Sequence, residues 1–226
     1  MNGSVIMVMI MLGAPGTGKG TVAGILKDEL NFPQVSTGDI FRKHIKEKTK
    51  LGILAENYIS KGELVPDDVT IGIVEERLKE EDVQNGVILD GFPRTVQQAE
   101  ALDAILQKQN KKVDLVVNLT TPKDEIIERI VNRRICPNCK AVYNLMLNPS
   151  EKEGFCDKCG SELIQRKDDT IDTVESRLDN YFEVTSPLID YYEKNGTLFS
   201  ATVSKKINKM GADVAKDIIE YIDKLK

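Results

Sequence analysis

Five compact apolar runs punctuate this chain, at Val5–Leu12, Pro33–Val35, Gly86–Leu89, Val113–Leu119 and Leu198–Val203, and the segments between them carry apolar residues at helical spacing. Runs that are apolar at nearly every position are characteristic of strands buried on both faces of a parallel sheet, whereas half-exposed strands alternate. Helices are expected at Lys19–Leu30, Asp39–Lys48, Gly52–Ser60, Asp67–Glu80, Val96–Gln107, Lys123–Asn132, Thr173–Glu183, Pro187–Glu193 and Ala212–Leu225. Several of these carry end signals: Ser36 and Thr37 as caps, Gly62 after the third helix, and Pro66 ahead of the fourth. Such alternation predicts an α/β fold, a doubly wound five-stranded parallel sheet with right-handed crossovers and its ligands at the carboxyl ends of the strands.

Two stretches interrupt the alternation. Residues 36–65 are helical without a strand of their own, and residues 133–167 are rich in Cys, Pro, Asn and Gly. Both read as inserts into a single domain covering 1–226. At 226 residues and 41% hydrophobic content one core of this kind can be filled. No run approaches the roughly 20 apolar residues of a membrane span, and no basic residue precedes Val5–Leu12 as a secretory leader requires, so a cytoplasmic protein is expected.

The turn after the first strand carries the chemistry. Gly13-Ala14-Pro15-Gly16-Thr17-Gly18-Lys19-Gly20-Thr21 joins a strand to a helix. Glycines let backbone N–H groups point inward at anionic oxygens, the helix N-terminus adds partial positive charge, and Lys19 supplies a full one. This is a loop for a nucleoside triphosphate, with Gly20 where the usual pattern has Ser or Thr, so Thr21 becomes the candidate hydroxyl near Mg²⁺. Asp90-Gly91-Phe92-Pro93-Arg94 follows another buried strand, and Asp90 there is expected to position Mg²⁺ through water.

All four cysteines fall in the second insert, as Cys136-Pro137-Asn138-Cys139 and Cys156-Asp157-Lys158-Cys159 with 16 residues between the pairs. Two such knuckles let four thiolates converge tetrahedrally on Zn²⁺ with no open position, which makes the metal structural. Fe²⁺ in the same cage, or two disulfides, are the alternatives.

Net charge is −5, which argues against a general nucleic-acid or membrane binder. The arginines tell more. Of eight, seven (Arg42, Arg94, Arg129, Arg133, Arg134, Arg166 and Arg177) lie in segments with other motifs, and a guanidinium fork binds phosphate bidentately without losing its charge.

Gly13–Thr21, Ser36-Thr37-Gly38-Asp39 with Arg42, Asp90–Arg94 with Gln98, and Arg166-Lys167-Asp168-Asp169 with Arg177 together resemble the adenylate kinases, and the cysteine insert resembles their long, metal-bearing lid. The resemblance covers nearly the whole chain. It implies reversible transfer of the terminal phosphoryl of ATP to AMP, giving two ADP, with Mg²⁺. It also implies roles. Gly16, Thr17, Gly18, Lys19, Gly20 and Thr21 would hold the ATP phosphates, with Arg129, Arg133, Val142 and Tyr143 near ATP. Thr37, Arg42, Glu63, Leu64, Val65, Gly91, Phe92, Pro93, Arg94 and Gln98 would form the AMP pocket, and Arg166 and Arg177 would reach the central phosphates. Lys19, Arg94, Arg129, Arg133, Arg166 and Arg177 would then carry catalysis by fixed charge, with Asp168 and Asp169 orienting arginines; the two inserts (36–65 on the AMP side, 133–167 over ATP) would close over bound nucleotides. A monomer with no nucleic-acid partner is expected.

The chain departs from the family at Ser204-Lys205-Lys206, where an Asp-Gly or Asn-Gly turn is usual, and at Asn144, where His often follows the lid tyrosine. The lone His44 reads as solvent-facing or partly packed, and Met7, Met9 and Met11 as core filler. Three rivals stand beside this reading: a kinase for UMP, CMP or GMP; a nucleic-acid-binding zinc module on an ATPase, which Glu151, Glu153, Asp157, Glu162, Asp168 and Asp169 make too acidic; and a nucleotide-binding regulatory protein without turnover.

Overall fold

The computed structural model describes residues 7–205 and 210–225. A parallel sheet in the order β2-β3-β1-β4-β7 is built from β2 (Gln34–Ser36), β3 (Val87–Asp90), β1 (Val8–Leu12), β4 (Leu115–Thr120) and β7 (Leu198–Thr202). Val5 and Ile6 of the first expected strand, and Lys206 of the turn after the last, lie outside the described residues.

Side chains of β1 alternate between two cores. Val8, Ile10 and Leu12 face α4 (Asp67–Arg77), α5 (Val96–Gln107) and α8 (Pro187–Lys194) through Val74, Leu102 and Leu188. Met7, Met9 and Met11 pack with Val22 and Leu26 of α1 (Lys19–Leu30) and Val214 and Ile218 of α9 (Gly211–Leu225). All of β1 is buried, so neither face could have been polar. The three methionines are core residues, as expected.

Each insert owns a small core. α2 (Thr37–Lys46) and α3 (Lys50–Ile59) close over Phe41, Ala55 and Val65. β5 (Arg133–Ile135) and β6 (Val142–Asn144) form an antiparallel pair, and Tyr143 packs there with Cys136 and Cys156. A third cluster, Ala14 with Ile126 and Ile130 of α6 (Lys123–Val131) and Val174 and Leu178 of α7 (Ile171–Asn180), carries the phosphate-loop end of the sheet.

Several boundaries differ from expectation for local reasons. Ser36 Oγ accepts from Asp39 N at 3.3 Å, so α2 starts at Thr37 and Thr37 is its first residue. α4 stops at Arg77, and a 3₁₀ turn at Glu81–Val83 follows. α7 ends at Asn180 and passes through a wider π turn, Tyr181–Thr185, closed by Ser186 N donating to Tyr181 O at 2.8 Å. Pro187 lacks an N–H and its ring clashes with the carbonyl four residues back, so it opens α8 rather than continuing α7.

Candidate active site

β1 lies between β3 and β4, the point from which the chain winds to either side, and the crevice at its carboxyl end is where open α/β sheets hold ligands. A cleft of about 1190 Å³ opens there. A narrower pocket of about 60 Å³ adjoins it and shares Arg42, Gly91, Arg94 and Arg177 with it.

The loop 13–18 forms the cleft floor. Gly16 and Gly18 have φ of +80° and +93°, and a Cβ on Gly13 would stand 2.3 Å from Leu119 O, so no other residue fits there. The Thr17 hydroxyl donates to Ala14 O at 2.9 Å and is buried within the loop. Lys19 Nζ donates to Gly13 O at 2.6 Å and Ala14 O at 2.8 Å. Burial presses the Lys19 ammonium down to about 7; Asp90 opposes this, while Arg94, Arg177 and Arg133 add to it.

Asp90 ends β3, and its Oδ2 accepts from Gln34 Nε2 at 3.0 Å. A Cβ on Gly20 would lie 3.7 Å from that oxygen, whereas Thr21 sets its methyl and Cβ against the position a Gly211 Cβ would take, 3.4 and 3.9 Å away. It is position 20 that faces Asp90. Thr21, the candidate hydroxyl for Mg²⁺, lines the same cleft one residue on, pointing about 100° away around the helix.

Arginines converge from four segments. Arg94 Nε donates to Gly91 O at 2.9 Å, and burial, Asp90 and Arg42 are the main influences on its lowered pKa. Arg166 falls to about 10 through burial and then the charges of Arg42 and Arg133. Arg177 also falls to about 10, through burial first, with Asp168 opposing and Arg133 and Arg94 adding. All stay charged at neutral pH; the shifts record buried cations crowding one another, a situation that polyphosphate relieves. Asp168 Oδ2 takes Arg177 Nη1 at 3.2 Å, and Asp169, buried, holds Arg133. The two carboxylates are engaged in orienting guanidinium groups, as the resemblance implied.

In the narrow pocket Thr37, Glu63, Leu64, Val65 and Gln98 are brought together. Gln98 is buried; its Oε1 accepts from Arg94 N at 2.7 Å and its Nε2 donates to Asp67 Oδ1 at 2.7 Å. Each end of the amide keeps one further hydrogen-bonding capacity. Asp67 was missed by sequence reasoning, as were Phe41, Ile59 and Thr70 of the pocket wall. Asp67 did carry a signal, a carboxylate directly after Pro66 at a helix start, but it reads there as a dipole partner. Phe92 sits in the sheet core with its side chain away from the pocket, and Pro93 lines the main cleft. The Thr37 hydroxyl donates to Gly91 O at 2.9 Å.

On the other side of the cleft lie Arg129, Arg133, Val142 and Tyr143. The Tyr143 hydroxyl accepts from Asp157 N at 2.9 Å and is 3.4 Å from Cys156 Sγ, so it also braces the second knuckle. Arg134 turns to Val131 O and Arg133 O at 3.3 and 2.8 Å and does not line the cleft. Asn144 folds its own loop, donating to Arg129 O at 3.0 Å and accepting from Met146 N and Leu147 N. His44 is partly buried, with Nδ1 3.0 Å from Thr49 Oγ1.

The four cysteines form no disulfide, and their sulfurs all lie within 4.8 Å of one another. The knuckles repeat one backbone design: Lys140 N donates to Cys136 O at 3.1 Å and Gly160 N to Cys156 O at 2.7 Å, with Cys136 N bonded to Ala141 O and Cys156 N to Ser161 O. Lys140 and Gly160 hold φ of +64° and +72°. Cys139 N also donates to Cys136 Sγ at 3.4 Å. The group fits a tetrahedral metal ion, whose sulfur edges for zinc are about 3.8 Å. Among the described residues no helix is long and apolar enough to cross a membrane.

Comparison with known proteins agrees with this geometry. A family model described as adenylate kinase matches residues 11–197. The chain is 51% identical to a protein named adenylate kinase from Clostridium botulinum over 209 residues, 92% of this chain and 97% of that protein. It is 50% identical to one of the same name from Bacillus licheniformis over 218 residues, 96% and 100% of the two chains, and 50% identical to one from Clostridium kluyveri over 204 residues, 90% and 94%.

Proposed function

The chain belongs to the adenylate kinase family and moves the terminal phosphoryl of ATP to AMP, and from that premise we propose which residues do the work. The observation that carries the assignment is the shared rim: Arg94 and Arg177 border both the broad cleft and the narrow pocket, and both charges are felt by Lys19 on the phosphate loop. Donor and acceptor phosphates entering from the two sides meet there. The loop N–H groups and Lys19 take the ATP phosphates, with Arg129, Arg133, Val142 and Tyr143 on the far wall. The narrow pocket takes AMP, with the spare donor and acceptor of Gln98 for its base.

Little covalent work falls to the protein in phosphoryl transfer, so alignment and preorganised positive charge supply the rate. No general base is needed, in keeping with Asp168 and Asp169 being bound to arginines. Mg²⁺ would neutralise phosphate charge. Asp90 is the residue that would hold it, through water, since glycine at 20 puts no hydroxyl beside that carboxylate.

In the cysteine insert the metal would be Zn²⁺, held by Cys136, Cys139, Cys156 and Cys159 and stabilising a segment whose own core is small. Residues 36–65 and 133–167 are the covers that exclude water, the competing acceptor. A monomer in the cytoplasm fits this reading, since that reducing compartment keeps cysteines from pairing as disulfides and available to a metal. The net charge of −5 argues against a nucleic-acid partner.

A single measurement tests this: ADP formation from ATP with AMP, UMP, CMP or GMP, alongside zinc per chain. Turnover with AMP at least tenfold above the others, and one zinc, are expected. Preference for another monophosphate overturns the AMP assignment, and no turnover with any leaves the regulatory reading.

A further inference from the structure

α6 buries two faces of different character. Ile126 and Ile130 pack into the cluster under the phosphate loop, while Glu125 and Arg129, one turn apart, are buried as an ion pair with Nη2 2.9 Å from Oε2. Glu125 is 1% exposed. Burying such a pair gains no more stability than two apolar side chains of similar volume would, so stability does not explain it.

What the carboxylate holds does. Ser204 Oγ donates to Oε1 at 2.5 Å, and Lys205 N donates to Oε2 at 3.2 Å. Arg129 Nη2 also reaches Val203 O at 3.2 Å, the same carbonyl that Thr121 Oγ1 meets at 2.8 Å. Val203 in turn stands beside the phosphate loop, its Cγ1 3.8 Å from where a Gly18 Cβ would be. Burial alone would raise the Glu125 carboxyl, but these bonds hold it below the usual range and keep it ionised.

We infer that Glu125 is a positioning residue for ATP: one buried carboxylate locks Arg129 of α6 and the Val203–Lys205 segment into a single rigid rim beside the phosphate loop. A guanidinium held by one end keeps its flat face in a set orientation, and such a face stacks on a nucleobase. The inference rests on the reading that Arg129 faces ATP, and it gives the departure at Ser204-Lys205 a purpose: the Ser204 hydroxyl and the Lys205 N–H are the two donors from that segment that the carboxylate requires.

The test uses the intact enzyme with KM for ATP and for AMP measured separately. Glu125→Gln places an amide N–H against a donor and is expected to raise KM for ATP about tenfold, the cost of one charge-assisted hydrogen bond, with KM for AMP within twofold. Ser204→Ala, a milder change that keeps the ion pair, is expected to raise KM for ATP about threefold. Glu128→Gln removes only an exposed bond to Lys205 Nζ and serves as the control within twofold. Arg129→Ala tests the premise. If it leaves KM for ATP unchanged, the ATP reading of this wall fails and the inference with it. If it raises KM for ATP while Glu125→Gln and Ser204→Ala do not, or if those two raise both KM values alike, the positioning role is overturned and the reading of Arg129 stands.

Discussion

Arg133 grips Asp169 with two prongs, Nε at 2.8 Å from Oδ2 and Nη2 on Oδ1, and the carboxylate is buried beneath it. The pair ties the root of the cysteine insert to the segment that leads into α7. Arg77 and Asp82 form a two-pronged pair of similar geometry at 2.8 and 2.6 Å, but at the surface. Removing one partner of a buried pair strands the other charge, whereas a surface pair is solvated either way. Asp169→Asn is therefore expected to cost roughly 3–5 kcal/mol in urea unfolding, and Asp82→Asn less than about 1 kcal/mol. Equal effects would refute the distinction.

Lys19 should make nucleotide binding take up a proton. Its folded-state pKa of about 7 lies below the ordinary 10.5, so between these values the unfolded chain holds a proton that the folded one has shed. Stability from this group accordingly rises as pH climbs through that window and is lowest beneath it. Phosphates restore the charge. Calorimetry of ATP binding near pH 8.5 in two buffers of different ionisation enthalpy is expected to register uptake approaching one proton, absent in Lys19→Met.

Central guanidinium groups should matter to rate and not to fold. Arg94→Ala and Arg166→Ala are each expected to lower kcat by about 10²–10³, the scale for one lost preorganised donor, with unchanged circular dichroism. Near-normal rates in both would contradict the charge-based mechanism.

The metal should be a matter of stability. Chelation, or Cys139→Ser, is expected to lower the melting temperature markedly while sparing most of the rate well below it. Complete loss of activity in a protein that still melts normally would show the metal to be part of the chemistry.

Two helical glycines give opposite forecasts. A Cβ on Gly52, in α3, would stand 2.1 Å from His44 O, while one on Gly24, in α1, meets nothing within 4 Å. Gly52→Ala should destabilise by about 1–3 kcal/mol through overpacking of α3 on α2. Gly24→Ala should stabilise by about 0.5–1 kcal/mol through helix propensity. Denaturation midpoints decide both.

How much of this could be read before folding depends on the range of the interaction. Strands, most helices, the loop 13–21 and the paired cysteines are matters of neighbouring residues: buried runs, Ser36 as a cap, glycines at φ only they adopt, cysteines three positions apart on a knuckle. Other features sit where a neighbour could not tell. Thr21 offers the same hydroxyl as any Walker threonine, and only the turn of α1 against β3 shows that position 20 faces Asp90.

The order of apolar runs, glycines and cysteines along the chain determined by itself the strands, the phosphate loop and the cysteine knuckles, because each is specified within a few residues. Tertiary structure alone decided the pairings that aim the site: Gln98 with Asp67 across 31 positions, Arg133 with Asp169 across 36, and Ser204 with Glu125 across 79. A charged side chain's partner is whichever opposite group packing brings within about 3 Å in a place that water has left, and no local pattern encodes which group that will be.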